Sequence, residues 1–285
     1  MKILHISDTH FHAIANNDAL LRKFTYLQSN YPDHKIIITG DITDDGTKEQ
    51  YAIASRILKP FKGRLFFCPG NHDYGTLGSV YTEEAARRFD GFATVFNEGA
   101  FIDKVPLVFR IENVQIILLN SNLKTENPSD FACGEIGKGQ LKILRKILKE
   151  NLPKDSVRII CLHHHPFIHS DPTMKLLDAK DFVRVIYGKI DILLFGHKHE
   201  QAQWLNKVGC KFVLASGALF EGLTAKEITI DGIGISVASV PIVWGRGGSK
   251  KMKMPQAEID MEAIKEIKKR KKRSRIKKKE GKEDT

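Results

Sequence analysis

Short runs of β-branched and aromatic residues, each closing on a cluster of Asp, Asn, His and Gly, punctuate the first two hundred positions of the chain. KILHI ends at SDTH, KIIIT at GDITD, RLFFC at PGNHD, VRIICL at HHH and DILLF at GHKH. Runs such as IIIT and RLFF show no polar alternation, so neither face is suited to water, and strands of this kind belong to a sheet covered on both sides. Between the first three runs lie residues 18–31 and 50–58, whose apolar positions recur at helical spacing. That gives a βαβαβ opening. In α/β sheets, ligands gather beyond the carboxyl ends of the strands, which is where the polar clusters fall.

The alternation continues. Strands are expected at 107–111, 114–120, 157–162, 190–195, 211–215, 227–231 and 234–240. Residues 139–151 (GQLKILRKILKEN) place Leu141, Leu144, Ile147 and Leu148 on one helical face and Lys or Arg on the other, and 179–187 is a second helical candidate. No internal repeat is visible. With 285 residues, 42% of them hydrophobic, the chain can bury one sizeable core. The expected division is a folded body over residues 1–248 and a tail over 249–285.

Charge is concentrated in that tail. From Lys250 to Thr285 there are 15 Lys and Arg against 7 Asp and Glu, a net +8 of the chain's +11, so the body is nearly neutral. Residues 265–279 (KEIKKRKKRSRIKKK) are almost continuously basic, preceded by Ile259, Ala263, Ile264 and Ile267 at helical spacing. The tail reads either as a solvated, partly disordered or helical extension or as a non-specific grip on nucleic acid or another polyanion. No aromatic residue follows Trp244, so base stacking would not assist it. Cys68, Cys133, Cys161 and Cys210 are far apart with no metal-knuckle or CxxC spacing, and read as buried thiols in a reducing compartment. The opening MKILHISDTH lacks the roughly 7–15 residue apolar segment of a secretory signal, and no stretch approaches the ~18 apolar residues of a membrane span. A cytoplasmic location is expected.

The clusters carry the chemistry. Asp, Asn and His are ligands for hard or borderline cations, and no cysteine falls in any cluster. In extended geometry, side chains two apart share a side, so Asp8 and His10, or His197 and His199, would reach one cation together. A DxH pair alone arises readily by chance; five such clusters in order at strand ends do not. Together they describe a two-metal hydrolytic site.

The order DxH, GDxxD, GNHD, His, GHxH resembles the calcineurin-like metallophosphoesterase superfamily over roughly residues 1–244. Within it, the opening HISDTHF, the segment GEIGKGQLKIL (134–144) and the HHP-like fourth block are similar to the branch of cyclic-nucleotide and glycerophosphodiester phosphodiesterases. The resemblance implies an α/β fold of two packed mixed sheets flanked by helices, a four-layer sandwich. It also implies two adjacent cations, drawn from manganese, iron, zinc or cobalt, bridged by a carboxylate and a hydroxide that attacks a small phosphoester.

Carried over by motif, Asp8, His10 and His199 would hold one metal, Asn71, His163 and His197 the other, and Asp41 would bridge them. A carboxylate can span two ions about 3.5–4 Å apart, and a neutral amide such as Asn71 spares an anionic substrate extra repulsion. His72 is left for chemistry: in the family its position meets the phosphate with Asn71 and protonates the leaving alkoxide, with Asp73 as a candidate to orient its ring. His164 is a candidate substrate contact, and the role of His165 stays open, because it stands where the family more often has proline. Asp44 reads as a turn or helix-capping residue. His5 reads as packed or beneath the site; His12, His34 and His169 read as loop histidines, with His12 and His169 candidates for the pocket mouth. Residues 120–122 suit a turn or a supporting role, and the loop 124–134 with Phe131 is a candidate lid. The implied activity is hydrolysis of small phosphodiesters. The alternatives are a nuclease using the basic tail, which would lack the family's usual DNA-binding cap, and a non-catalytic scaffold, which retention of all seven ligands opposes.

Overall fold

A computed structural model describes residues 1–13, 17–76, 80–96, 106–125, 127, 132–167, 171–222, 224–232 and 234–242. The tail, His169 and Phe131 lie outside the described residues, as does much of the candidate lid.

The first half runs β1 (Lys2–Ile6), α1 (Asp18–Asn30), β2 (Lys35–Thr39), α2 (Lys48–Leu58) with a 3-10 turn (Lys59–Phe61), and β3 (Leu65–Cys68). A short helix α3 (Asn71–Tyr74), a two-residue hairpin β4 (Gly75–Thr76) and β5 (Val80–Tyr81), and α4 (Glu83–Phe96) follow. The second half contains β6 (Leu107–Ile111), β7 (Val114–Leu118), α5 (Lys138–Ile147), β8 (Val157–Cys161), α6 (Ala179–Ile186) and β9 (Ile192–Phe195). It closes with β10 (Ala202–Lys207), β11 (Cys210–Ala215), β12 (Thr224–Ile230) and β13 (Ile235–Pro241).

These strands build two mixed sheets, ordered β13-β12-β1-β2-β3 and β10-β11-β9-β8-β7-β6. β1, β2 and β3 are parallel, as are β7, β8, β9 and β11, while β12, β13, β6 and β10 pair antiparallel at the margins. Alternation along β1 explains the layering: Ile3 enters the core between the sheets with Ile37, Ile116, Ile159 and Leu194, while Leu4 and Ile6 face the helices with Phe24, Leu27 and Phe67. A third core, including Leu141, Leu144, Phe182 and Ile186, packs α5 and α6 on the outer face of the second sheet. The result is the four-layer α/β arrangement with both sheet faces covered, and it accounts for the unbroken apolar runs.

Of the longer elements, two depart from the sequence expectation. α4 carries Gly91 mid-helix and two β-branched residues near its end, which weakens its local signal. Tertiary packing decides it: Phe89, Phe92 and Phe96 form an aromatic stack against Tyr51 and Phe67. β10 is a mostly exposed edge strand held by β11, and its mixed sequence AQWLNK shows no buried run.

Candidate metal centre

The carboxyl ends of β1, β2 and β3 meet those of β8 and β9, and all seven anticipated ligands converge there. Donor atoms of Asp8, His10 and His199 form one group and those of Asp41, His163 and His197 another, each within 4.8 Å of one another. Asn71 joins the second group, its Oδ1 3.1 Å from His163 Nε2. Asp41 Oδ2 lies 3.2 Å from His163 Nε2 and 3.6 Å from His10 Nε2, so one carboxylate oxygen reaches both groups. The groups also meet through Asp8, which accepts from the His197 amide at 3.2 Å and lies 3.4 Å from His199 Nε2.

The backbone that achieves this is not extended. Asp8, His10, Asp41, His197 and His199 all have positive φ, between 44° and 77°. Convergence therefore comes from left-handed turns after the strands, correcting the expectation that alternate residues of an extended segment share a side. Such conformations cost of order 1–3 kcal/mol each and cluster where surrounding structure over-determines them for function. Two glycines make the approach possible. A Cβ on Gly70 would strike the Asp41 carboxylate and amide, and one on Gly196 would strike the Ser7 hydroxyl and Asp8 carboxylate.

The supports select which nitrogen each imidazole presents. His163 Nδ1 donates to the Thr39 carbonyl at 2.7 Å, leaving Nε2 as the lone-pair nitrogen. That nitrogen faces Asp41 Oδ2, Asn71 Oδ1 and, at 3.1 Å, His197 Nδ1. Acceptors pointing at one another need a positive charge between them. Burial opposes charge on His163, but Asp41 and then Asp8 overcome it and push its pKa up to about 9. Asp41 stays well below the carboxylate range: burial works against it, and His163 and His72 outweigh burial. A divalent cation would answer the same field, with neutral imidazoles as ligands. Among the described residues, Nε2 of His10 and of His197 are buried without a hydrogen-bond partner. The donor set of oxygens and imidazoles fits two borderline cations.

Several supporting residues were not anticipated. Asp44 does not cap α2; Thr47 does, accepting from the Gln50 amide at 3.4 Å. Instead the Asp44 carboxylate lies 3.3 Å from His10 Nδ1 and 3.1 Å from His12 Nδ1, and its carbonyl accepts from His72 Nδ1 at 2.8 Å. Asp44, not Asp73, thus orients the His72 ring. Asp73 accepts from the amides of Ile42, Thr43 and Gly70 and braces the bridging loop; burial, then Asp41, raises its pKa to about 6. His72 is part exposed, with its amide donating to Asp41 Oδ1 at 3.0 Å.

The remaining histidines separate cleanly. His164 is fully buried, with Nδ1 2.8 Å from Ser121 Oγ and its ring 4.5 Å from that of His197, so it backs the site and shows no exposed atom to a substrate. His165 joins an aromatic cluster of Phe167, Phe195 and Trp204. His5 is buried against Thr39 and His34 pairs with Glu227, whereas half-exposed His12 reaches the site through Asp44. Asn122 donates to the Gly70 carbonyl at 2.9 Å, a supporting role. Beside His199, a cavity of about 210 Å³ is lined by Gln201, Gly217, Glu221 and Thr224.

Residues 1–201 match the family model for calcineurin-like phosphoesterases. A probable cyclic nucleotide phosphodiesterase of Ruthia magnifica is 26% identical over 215 residues, covering 73% of this chain and 80% of its own. The cAMP/cGMP dual specificity phosphodiesterase of Mycobacterium tuberculosis is 27% identical over 69% of this chain and 61% of its own. A probable glycerophosphodiester phosphodiesterase of Arcobacter nitrofigilis is 28% identical over 73% and 76%. Among solved structures, a dimetal phosphatase of Danio rerio superposes with TM-score 0.58 at 15% identity, covering 85% of this chain and 96% of that one, which places the fold. With its family model, its two mixed sheets and its Asp and His clusters in agreement, the chain belongs to the calcineurin-like phosphoesterases, a family of metal-dependent hydrolases.

Proposed function

We propose that the protein is a dinuclear phosphodiesterase acting on small diesters of the cyclic-nucleotide or glycerophosphodiester type. The observation that carries the reading is the placement of Asp41 Oδ2 between the two donor groups, with His72 on the rim beside it. Asp8, His10 and His199 would hold one cation, Asn71, His163 and His197 the other, with Asp41 shared. Manganese, iron, zinc and cobalt all suit this donor set. When bound, the pair supplies Lewis acidity toward the phosphoryl oxygens and lowers the pKa of water.

The chain's own residues do the rest. The His72 Nδ1 proton is committed to the Asp44 carbonyl, which fixes the ring and turns Nε2 to the task of protonating the leaving oxygen. Asp44 holds His10 from behind, and Thr39 holds His163, so neither imidazole can rotate its presented nitrogen away. Asn71 contributes a neutral oxygen, which keeps the face toward an anionic diester less negative. The named activities of the relatives support a diester in preference to a monoester. The nuclease alternative draws on the basic tail alone, since the body is nearly neutral.

The test is a panel on manganese-reconstituted protein: a chromogenic diester and its monoester, cyclic AMP, glycerophosphodiesters and single-stranded DNA, with Asn71→Ala as control. Turnover of small diesters, lost in the control, is expected. Turnover confined to monoesters would overturn the reading, and processive cleavage of DNA would replace it with the nuclease.

A further inference from the structure

Lys23, on α1, is 9% exposed, and its Nζ is spent on two backbone carbonyls, Leu219 at 2.5 Å and Phe220 at 3.1 Å. Neither acceptor is charged. Drawing an ammonium out of water toward neutral carbonyls is a costly way to fasten a loop, since burial disfavours the charge and no ion pair among the described residues offsets it. The loop it fastens, 216–222, touches one half of the centre. The Leu219 amide donates to the carbonyls of Ser7 at 2.9 Å and Asp8 at 3.1 Å, and Ala218 bridges to Ser7. The ring of Phe220 stands edge-on to His10 at 5.1 Å and to His199 at 5.5 Å. A Gly222 amide to Ala218 carbonyl bond of 2.7 Å closes the turn between them.

Asp8, His10 and His199 form the first donor group, to which Asp41 is shared. In the second, His163 is braced by Thr39 and Ser121 and Asp41 by the His72 amide, and only His197, whose amide donates to Asp8, leans on the first. We infer that Lys23 is a positioning residue for the first group, setting through the 216–222 loop the left-handed backbone of Asp8 and the ring planes of His10 and His199. It therefore tunes chiefly the affinity for the cation held by those three, and reaches the cation held by Asn71, His163 and His197 only weakly, through the Asp8 contact with His197. This rests on the dinuclear reading proposed above.

The experiment titrates manganese into chelator-treated protein by calorimetry in two backgrounds. Asn71→Ala leaves the first group to report, and His199→Ala leaves the second. Lys23→Met is expected to weaken binding by about 10- to 100-fold in the first background, the usual size for a supporting partner. In the second background a much smaller change is expected. Lys23→Arg, which keeps donors for both carbonyls, should restore part of the loss. If Lys23→Met does not fold, Phe220→Leu decides: it keeps the lysine's bonds and removes the ring from His10 and His199, and should show the same selective weakening. Equal weakening in both backgrounds, or in neither, overturns the inference. Uptake of fewer than two manganese ions by the wild-type protein would instead fail the dinuclear reading, and the inference with it.

Discussion

Replacing His5 with glutamine should flatten the acid side of the stability curve. His5 is fully buried on β1, with Nε2 2.9 Å from Thr39 Oγ1 and Lys226 opposite it across the antiparallel pair with β12. Burial first, and Lys226 second, push its pKa down to about 3. In the unfolded chain a histidine titrates near ~6.5. Below that pH the unfolded state takes up a proton that the folded state refuses. The stability associated with neutral His5 is thus fully present above ~6.5 and is lost as pH falls toward the folded value. Between pH 7.5 and pH 5 the loss covers about 1.5 pH units at ~1.36 kcal/mol each, or about 2 kcal/mol. Urea unfolding of chelator-treated wild-type and His5→Gln protein at pH 7.5, 6 and 5 measures it. Glutamine keeps a hydrogen-bonding group for Thr39 but has no proton to gain, so the wild type should lose about 2 kcal/mol more than the variant over this range. Parallel pH profiles would refute the argument.

Other outcomes follow from the centre itself. His72→Ala should keep its metal content by elemental analysis while losing roughly 10²- to 10⁴-fold in kcat on alkyl diesters, and far less on a nitrophenyl diester whose leaving group needs no proton. Gly70→Ala drives a Cβ into Asp41, so metal binding should weaken, and the melting temperature should fall by the equivalent of about 1–3 kcal/mol of overpacking. Removing metal should lower the melting temperature, since a cation at about 1,000 times its Kd stabilises by about 4 kcal/mol, and re-addition of manganese should reverse it.

The strands that carry ligands were legible because each is a short, unbroken apolar run ending on glycine or aspartate, as in IIITGD and LLFGH. The seven candidate donors came from the resemblance of that motif order to a known family. What lay hidden depends on loop conformation. Asp44 reads locally as a turn residue, and nothing nearby says that its carboxylate will sit between His10 and His12. Lys23 is one of many helix lysines until the fold delivers the carbonyls of Leu219 and Phe220, some two hundred positions away. The left-handed conformation of five of the donors escaped for the same reason: φ at Asp8 or His10 is set by hydrogen bonds to other loops, against the residues' own preference. α4 was missed because its aromatic stripe matters only once Tyr51 and Phe67 are there to meet it.

Three of the ligand-bearing strands belong to one sheet and two to the other, so the centre straddles a seam. Any sliding of one sheet over the other would change donor spacing at once, since Asp41 rides on the first sheet and His163 on the second, 3.2 Å away. A cation seated there would act as a rivet through both layers, clipping the N-terminal strand to a residue near position 200 and closing almost the whole described chain into a loop. Substitutions in the apolar layer between the sheets, such as at Ile37 or Ile159, should therefore change metal affinity without approaching the centre.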